Sequence, residues 1–288
     1  MLPPQRIAVT GASGLIGSAL VAQLKSDGHE VQKIVRRPAR TSDEVSWNPI
    51  KGEIDLQALE GVDAVFHLAG AGVGDKRWSA AYRSEILNSR LLGTTTIANA
   101  CEQLQPEVFI SASAIGYYGE TGNRAVVETD RGGEDFLSIV CREWEAAARE
   151  ARELGIRVVL LRTGVVLGKH GGAFPLMKTA FSFGLGGNLG SGKQWMSWVH
   201  EQDQVSLILW AIENASVVGP MNLCSPHPVT NAEFTQRLAA QLKRPAFMHV
   251  PAFALRWAAR GLAQEMLLSS QRAYPRLAND LGYRFAQS

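Results

Sequence analysis

The sequence predicts an α/β protein built on a doubly wound parallel sheet, and three observations carry that prediction. Over residues 6–164, short apolar runs rich in Val, Ile and Leu alternate with longer helical stretches. Strands of that character, apolar on both faces, belong in a parallel sheet covered by helices, because parallel neighbours need crossover connections. A glycine-spaced turn joins the first apolar run to the first helical stretch.

In chain order, RIAVTG (6–11) reads as the first strand, with a helix pattern over about 15–28. EVQKIV (30–35) and DAVFHLAG (63–70) follow as strands, then a helix over 79–104. EVFISAS (107–113), a helix over 135–153 and RVVLLRTG (157–164) complete the alternation. Ligands in such sheets bind beyond the carboxyl ends of the strands, which directs attention to Gly11, Gly70, Ser113 and Gly164. After residue 164 the rhythm changes: 168–200 is glycine-rich and loop-like, and GPMNLCSP (219–226) reads as one further strand. TNAE (230–233) is a capping-box pattern that opens a helix to about 243, and the apolar tail reads as mostly helical. The expected organisation is a dinucleotide-binding domain over 1–166 with a return strand near 219–224, and a smaller, mostly helical substrate lobe over 167–288.

Composition narrows the function. The 288 residues carry 29 basic and 27 acidic side chains, a net +2 with no polybasic run, which argues against nucleic acid and anionic membrane as partners. Three widely spaced cysteines, with no C-x-x-C, fit a reducing compartment better than a disulfide framework or zinc site. Six scattered histidines give no metal-ligand pattern. The chain enters its first strand with no leader-like segment, and its apolar runs fall far short of the ~20 residues that span a bilayer. A soluble, cytoplasmic protein is expected.

TGASGLIGSAL (10–20) sits at the first strand–helix junction with glycines at 11, 14 and 17. Gly11 permits the tight turn, Gly14 the approach of a pyrophosphate, and Gly17 close helix–strand packing. The helix start then offers its N–H groups and positive dipole end to phosphate, with Ser13, Leu15 and Ile16 in the cradle. This is a Rossmann-type dinucleotide site. The second strand would end in an acid if the adenosine ribose 2′-hydroxyl of NAD were bound. It ends in Arg36 and Arg37 instead. Two guanidiniums there suit a 2′-phosphate, so the expected cofactor is NADP(H).

TGASGLIG, HLAG (67–70), SASAIGYYG (111–119) and RTGVVLG (162–168) together resemble the short-chain dehydrogenase/reductase superfamily in its extended form. GYYG, GLGGNLGSGKQWMSWVH, TNAEF and the tail are similar to its atypical "epimerase family protein" subgroup, members of the NAD-dependent epimerase/dehydratase family often labelled nucleoside-diphosphate-sugar epimerases. The resemblance implies an NADP(H)-bound oxidoreductase or isomerase acting on a small polar substrate such as a sugar derivative. It implies that Leu68, Ala69 and Gly70 pass beneath the cofactor, that Arg162 lies near its nicotinamide end, and that Ser111 and Ser113 close the strand carrying the catalytic serine. Glu85 and Arg90 either reach the cofactor or belong to a solvated helix face. A homodimer through the helices at 79–104 and 135–153 is also implied.

One part of the resemblance fails. A Tyr-x-x-x-Lys pair should stand on DFLSIVCREWEAAARE (135–150), where the sequence has Leu137 and Cys141. Cys141, mid-helix with no neighbouring His, reads as a small core residue. Glu145 on the same face reads as bonded to backbone or solvated. The catalytic candidates become Ser113 and Tyr117, with Tyr118 the alternative because the turn is one residue longer than usual. His200 is a weaker general-acid candidate, and Asp203 is expected to serve its helix start. The glycine-rich 184–192, with Trp195 and Trp198, reads either as a substrate-covering loop or as a tight hairpin. Two functions follow: an NADP(H)-dependent enzyme of this type, or an NADPH-binding regulatory or scaffold protein with little turnover.

Overall fold

The computed structural model describes residues 3–168, 171–172 and 174–287. Residues 1, 2, 169, 170, 173 and 288 of the expected domain ranges lie outside the described residues.

The strands and helices run β1 (Arg6–Thr10), α1 (Leu15–Ser26), β2 (Glu30–Val35), β3 (Glu44–Asn48), β4 (Glu53–Ile54), β5 (Ala64–His67), α2 (Ala80–Leu104), β6 (Val108–Ala114), β7 (Ala125–Val126), α3 (Phe136–Glu153) and β8 (Arg157–Thr163). They continue with β9 (Val165–Leu167), α4 (Phe174–Ser182), β10 (Gly187–Leu189), β11 (Trp195–Met196), β12 (Trp198–His200), α5 (Glu201–Glu213) and β13 (Gly219–Leu223). The tail adds β14 (Val229–Thr230), α6 (Asn231–Leu242), β15 (Met248–Val250), α7 (Ala252–Ala259), β16 (Arg272–Ala273) and α8 (Arg276–Asp280).

One sheet dominates, in the order β13-β8-β6-β5-β1-β2-β3-β4. Its pairings are parallel except for β4, which runs antiparallel to β3. The fold is therefore the doubly wound Rossmann type. The strand order turns at β1, which has β2 on one side and β5 on the other. That switch point opens the crevice where such sheets hold ligands. Apolar side chains on the two faces build separate cores. Ile7, Val9, Phe66 and Ile110 pack with Leu20, Leu24, Leu207 and Ile208 on one side. Ala8, Val65, Phe109 and Val158 pack with Ile97, Cys101 and Ala148 on the other. The return strand β13 sits at the sheet edge beside β8.

The helix starts follow local chemistry. Ser79 caps α2 by accepting from the Tyr82 N–H at 3.1 Å, and Asp135 caps α3 by accepting from Ser138 at 2.8 Å. Thr230 and Glu233 form the reciprocal capping box of α6. β3 and β4 are additions that the apolar-run pattern did not show.

Candidate functional site

The site begins where β1 turns into α1. Gly11 has φ +68°, open to glycine at little cost, and a Cβ there would lie 2.8 Å from the Leu68 carbonyl carbon. A Cβ on Gly17 would fall inside the Gly11 carbonyl oxygen, so α1 can pack on the turn only with glycine there. Gly14 differs: a Cβ would meet nothing but the Gly11 carbonyl oxygen, at 3.3 Å. Its outer side is open, and as N-cap it offers the first N–H groups of α1 no side-chain partner. Ser13 and Gly14 are exposed, while Leu15 and Ile16 are half-buried. The residues present fit a pyrophosphate cradle.

The loop after β5 is tied to this turn. The Thr10 hydroxyl accepts the N–H groups of Leu68 (3.1 Å) and Ala69 (3.2 Å), and lies 2.8 Å from His67 Nδ1. With two N–H groups donating to it, the hydroxyl gives its own proton to Nδ1. His67 is wholly buried, and burial holds its imidazole well below the usual range, at about 3. Arg90 supports the same loop from below. It donates to the Ala71 carbonyl at 2.9 Å, stacks 4.9 Å from the Trp144 ring, and packs beneath Gly70. Glu85 is exposed and pairs with Lys76 at 3.0 Å.

At the end of β2 the two arginines part company. Arg37 is committed to Glu44 of β3 through two bonds of 2.7 Å. Arg36 is exposed and has no acidic partner among the described residues.

At the end of β6 the structure shows a polar network that sequence reasoning missed. Glu145 of α3 is wholly buried, not solvated, and its partners are side chains rather than backbone. It receives Arg162 Nε at 2.8 Å, Arg162 Nη2 at 3.0 Å and the Ser113 hydroxyl at 2.8 Å. Arg162 is 1% exposed; it also donates to the Tyr118 hydroxyl and the Glu128 carbonyl, each at 3.0 Å. Burial alone would lower the guanidinium pKa, but the bonded Glu145 carboxylate outweighs that and holds it above the ordinary value. Four of the five donors of Arg162 are therefore committed to protein partners rather than to the crevice. Ser111 lies deeper in β6, wholly buried, with its hydroxyl turned to a neighbouring carbonyl.

The two tyrosines have different fates. Tyr118 is 2% exposed, its phenol donates to Asn222 Oδ1 at 2.7 Å, and burial drives its pKa up. Tyr117 remains half-buried, with the Arg162 guanidinium 3.4 Å from its ring centroid. Leu137 and Cys141 both face the adjacent Gly116. Burial pushes the Cys141 thiol up to about 12, outside the range of a useful nucleophile.

The C-terminal segment completes the surround. Glu265 accepts the Leu137 N–H at 2.8 Å, at the first turn of α3. Ser270 bonds Glu120 and Gly122, and β16 pairs with β7. Asp203 places a negative charge in the first turn of α5 but does not cap it: its carboxylate accepts the N–H groups of Ala286 and Gln287, each at 2.8 Å. His200 takes the capping role, accepting from Gln202. Trp195 and Trp198 are half-buried, and their N–H groups bond Asn123 Oδ1 and the His227 carbonyl.

Among the described residues there is no cluster of side chains suited to a metal ion and no helix long and apolar enough to cross a membrane.

Comparison with known proteins agrees with this geometry. Residues 7–224 match the sequence model of the NAD dependent epimerase/dehydratase family, and residues 250–288 match a domain of unknown function, DUF1731. An "Epimerase family protein" of Mycobacterium leprae is 43% identical over 279 residues, covering 97% of this chain and 91% of that protein. The crystal structure of human epimerase family protein SDR39U1 (isoform 2) with NADPH superposes with TM-score 0.88 at 33% identity, covering 98% of this chain and 95% of that one. A structure described as a nucleoside-diphosphate sugar epimerase from Corynebacterium glutamicum gives TM-score 0.83 at 36% identity. This chain is covered to 99% there but spans only 56% of that longer chain. On its fold, its glycine turn and these matches, the chain belongs to the NAD dependent epimerase/dehydratase family, within the epimerase family proteins of the extended short-chain dehydrogenase/reductase type.

Proposed function

We propose that this protein binds NADP(H) across the ends of β1, β2 and β5, and that any reaction it performs on a small polar substrate, such as a sugar derivative, is slow. The observation that carries the reading is the open outer side of the Gly11–Gly17 turn, with the exposed Arg36 at the neighbouring strand end. Backbone N–H groups of Ser13, Gly14, Leu15 and Ile16 would hold the pyrophosphate, Leu68–Gly70 would pass beneath it, and Arg36 would meet the 2′-phosphate. Arg37 contributes by fixing the loop through Glu44. The NADPH in the human relative supports this choice of cofactor.

The bound nicotinamide would supply hydride transfer. The chain's own part is orientation and proton handling. Ser113 donates inward to Glu145, so towards a substrate it presents lone pairs and accepts from a hydroxyl. Tyr117 is the half-buried phenol of the turn that follows β6, and the cation on its ring is Arg162 rather than a lysine four residues along a helix. Glu85 pairs with Lys76 and the Ser111 hydroxyl turns to the Ala112 carbonyl, and we assign them no direct cofactor contact. A dimer through α2 and α3, where Leu92 and Ile139 are exposed, fits the resemblance and is checked by light scattering.

The second reading, an NADPH-binding regulatory or scaffold protein, is favoured by Leu137 and Cys141 standing where the usual acid and ammonium would be. Fluorescence titration with NADPH and NADH tests the cofactor. NADPH should bind more tightly, and Arg36→Ala should cost it about 1.5–3 kcal/mol while sparing NADH. Equal affinities would refute the assignment. A screen of NADPH oxidation with Ser113→Ala and Tyr117→Phe separates the two readings: turnover unaffected by both together places the chemistry elsewhere.

A further inference from the structure

Between Glu233 and Glu265 the chain has no Asp or Glu, while Arg237, Lys243, Arg244, Arg256 and Arg260 fall in that span. The net +2 of the whole chain conceals this local excess. The same span carries three strongly exposed aromatic rings: Phe247 at 77%, Phe253 at 73% and Trp257 at 83%. Phe253 and Trp257 are four residues apart on α7, so they share one face of a helix with no fully buried residue. Lys243, Arg244, Arg256 and Arg260 are all exposed and have no acidic partner among the described residues.

We infer that this exposed segment, residues 243–260, docks on an anionic lipid surface. Charge selects against a second copy meeting it symmetrically, because a two-fold contact would set the same cations against each other. The rings project outward, so they need a receptor that yields around them. The other residues of α7 include Ala252, Ala254, Ala258 and Ala259, which let the helix lie close to that receptor. Projecting Trp and Phe beside unpaired Arg and Lys is the composition of helices that lie in a bilayer interface. The expectation from composition, that anionic membrane is no partner, holds for the average surface and is revised here for this face alone. The reading is independent of the cofactor assignment.

The test is co-sedimentation of the full-length protein with phosphatidylcholine vesicles, with and without phosphatidylglycerol. The protein should pellet with the phosphatidylglycerol vesicles, remain in solution with phosphatidylcholine alone, and be released by added salt. Phe253→Ser/Trp257→Ser should lower partitioning by at least about tenfold, since burying one such ring contributes a factor of that order. Lys243→Glu/Arg244→Glu should act in the same direction, with thermal unfolding and NADPH binding unchanged in both variants. Three results would overturn the inference. One is no pelleting with anionic vesicles at low salt, and another is equal pelleting of the variants. The third is a dimer that Trp257→Ser disrupts without any vesicle binding, which would give the face to a second copy.

Discussion

Replacing Glu145 by Leu is the sharpest perturbation of the network beneath the β6 end. In the native chain Arg162 is 1% exposed and makes two of its bonds, 2.8 and 3.0 Å, to that carboxylate. The variant leaves the guanidinium buried with only the Tyr118 hydroxyl and the Glu128 carbonyl. Removing one partner of such a pair costs about 3–5 kcal/mol, because the remaining charge stays desolvated. The outer bond to Arg149, whose side chain is 44% exposed, adds no more than about 0.5 kcal/mol. For 288 residues the unfolding entropy is roughly 0.6 kcal/mol/K, so the midpoint should fall by about 5–8 °C. Calorimetry at neutral pH measures it. Glu145→Leu/Arg162→Met should recover most of the loss, since an apolar pair removes the orphaned charge. A single variant that melts within about 2 °C of the native protein would refute the argument, as would a double variant that loses the sum of both singles.

Other outcomes follow from the same geometry. Gly17→Ala should abolish NADPH binding and lower stability, because the added Cβ displaces α1 from the Gly11 turn; titration and melting together check both. Cys141→Ala should leave any turnover unchanged and cost only the stability of a small buried side chain. His67 keeps a folded pKa of about 3 against an ordinary 6.5, so the unfolded chain takes up its proton first as pH falls. Its contribution to stability should therefore decline between about pH 6.5 and 3, by up to about 1.4 kcal/mol per pH unit, and urea titrations of His67→Asn should lack that part of the slope. Cutting or truncating the chain at residue 166 should give no stable N-terminal fragment, since β13 then leaves the sheet edge beside β8; limited proteolysis is the measurement.

Much of the fold was legible because its signals are local. β2 coincides with EVQKIV, and α2 and α3 begin one residue after Ser79 and Asp135, the side chains that cap them. β3 and β4 escaped because EVSWN is short, mixed in polarity and flanked by charged loops, so no continuous apolar run announces it. The glycine turn was readable because steric need fixes residue type at each position. The Ser113–Glu145–Arg162 network was not, since its members lie 17 and 32 residues apart and meet only through the packing of α3 on the sheet. A signal did exist: an arginine inside the buried run RVVLLRT demands a buried partner. Nor did sequence separate Arg36 from Arg37, because Glu44 belongs to the strand that was missed.

The contacts of Ser270 and β16 bear on how the protein is made. Thr121 and Ser270 are bonded across 149 residues of chain, so the segment just after Tyr117 acquires this support long after it is made. At translation speeds of about 5–20 residues per second, those 149 residues take roughly seven to thirty seconds to emerge. Through that interval the nascent sheet exposes the surface that the tail later covers. Ribosome-bound chains stalled before residue 270 should accordingly be cut by protease near residues 117–133, whereas the released protein resists there. Equal resistance of the two would mean that the rim sets without its C-terminal clasp.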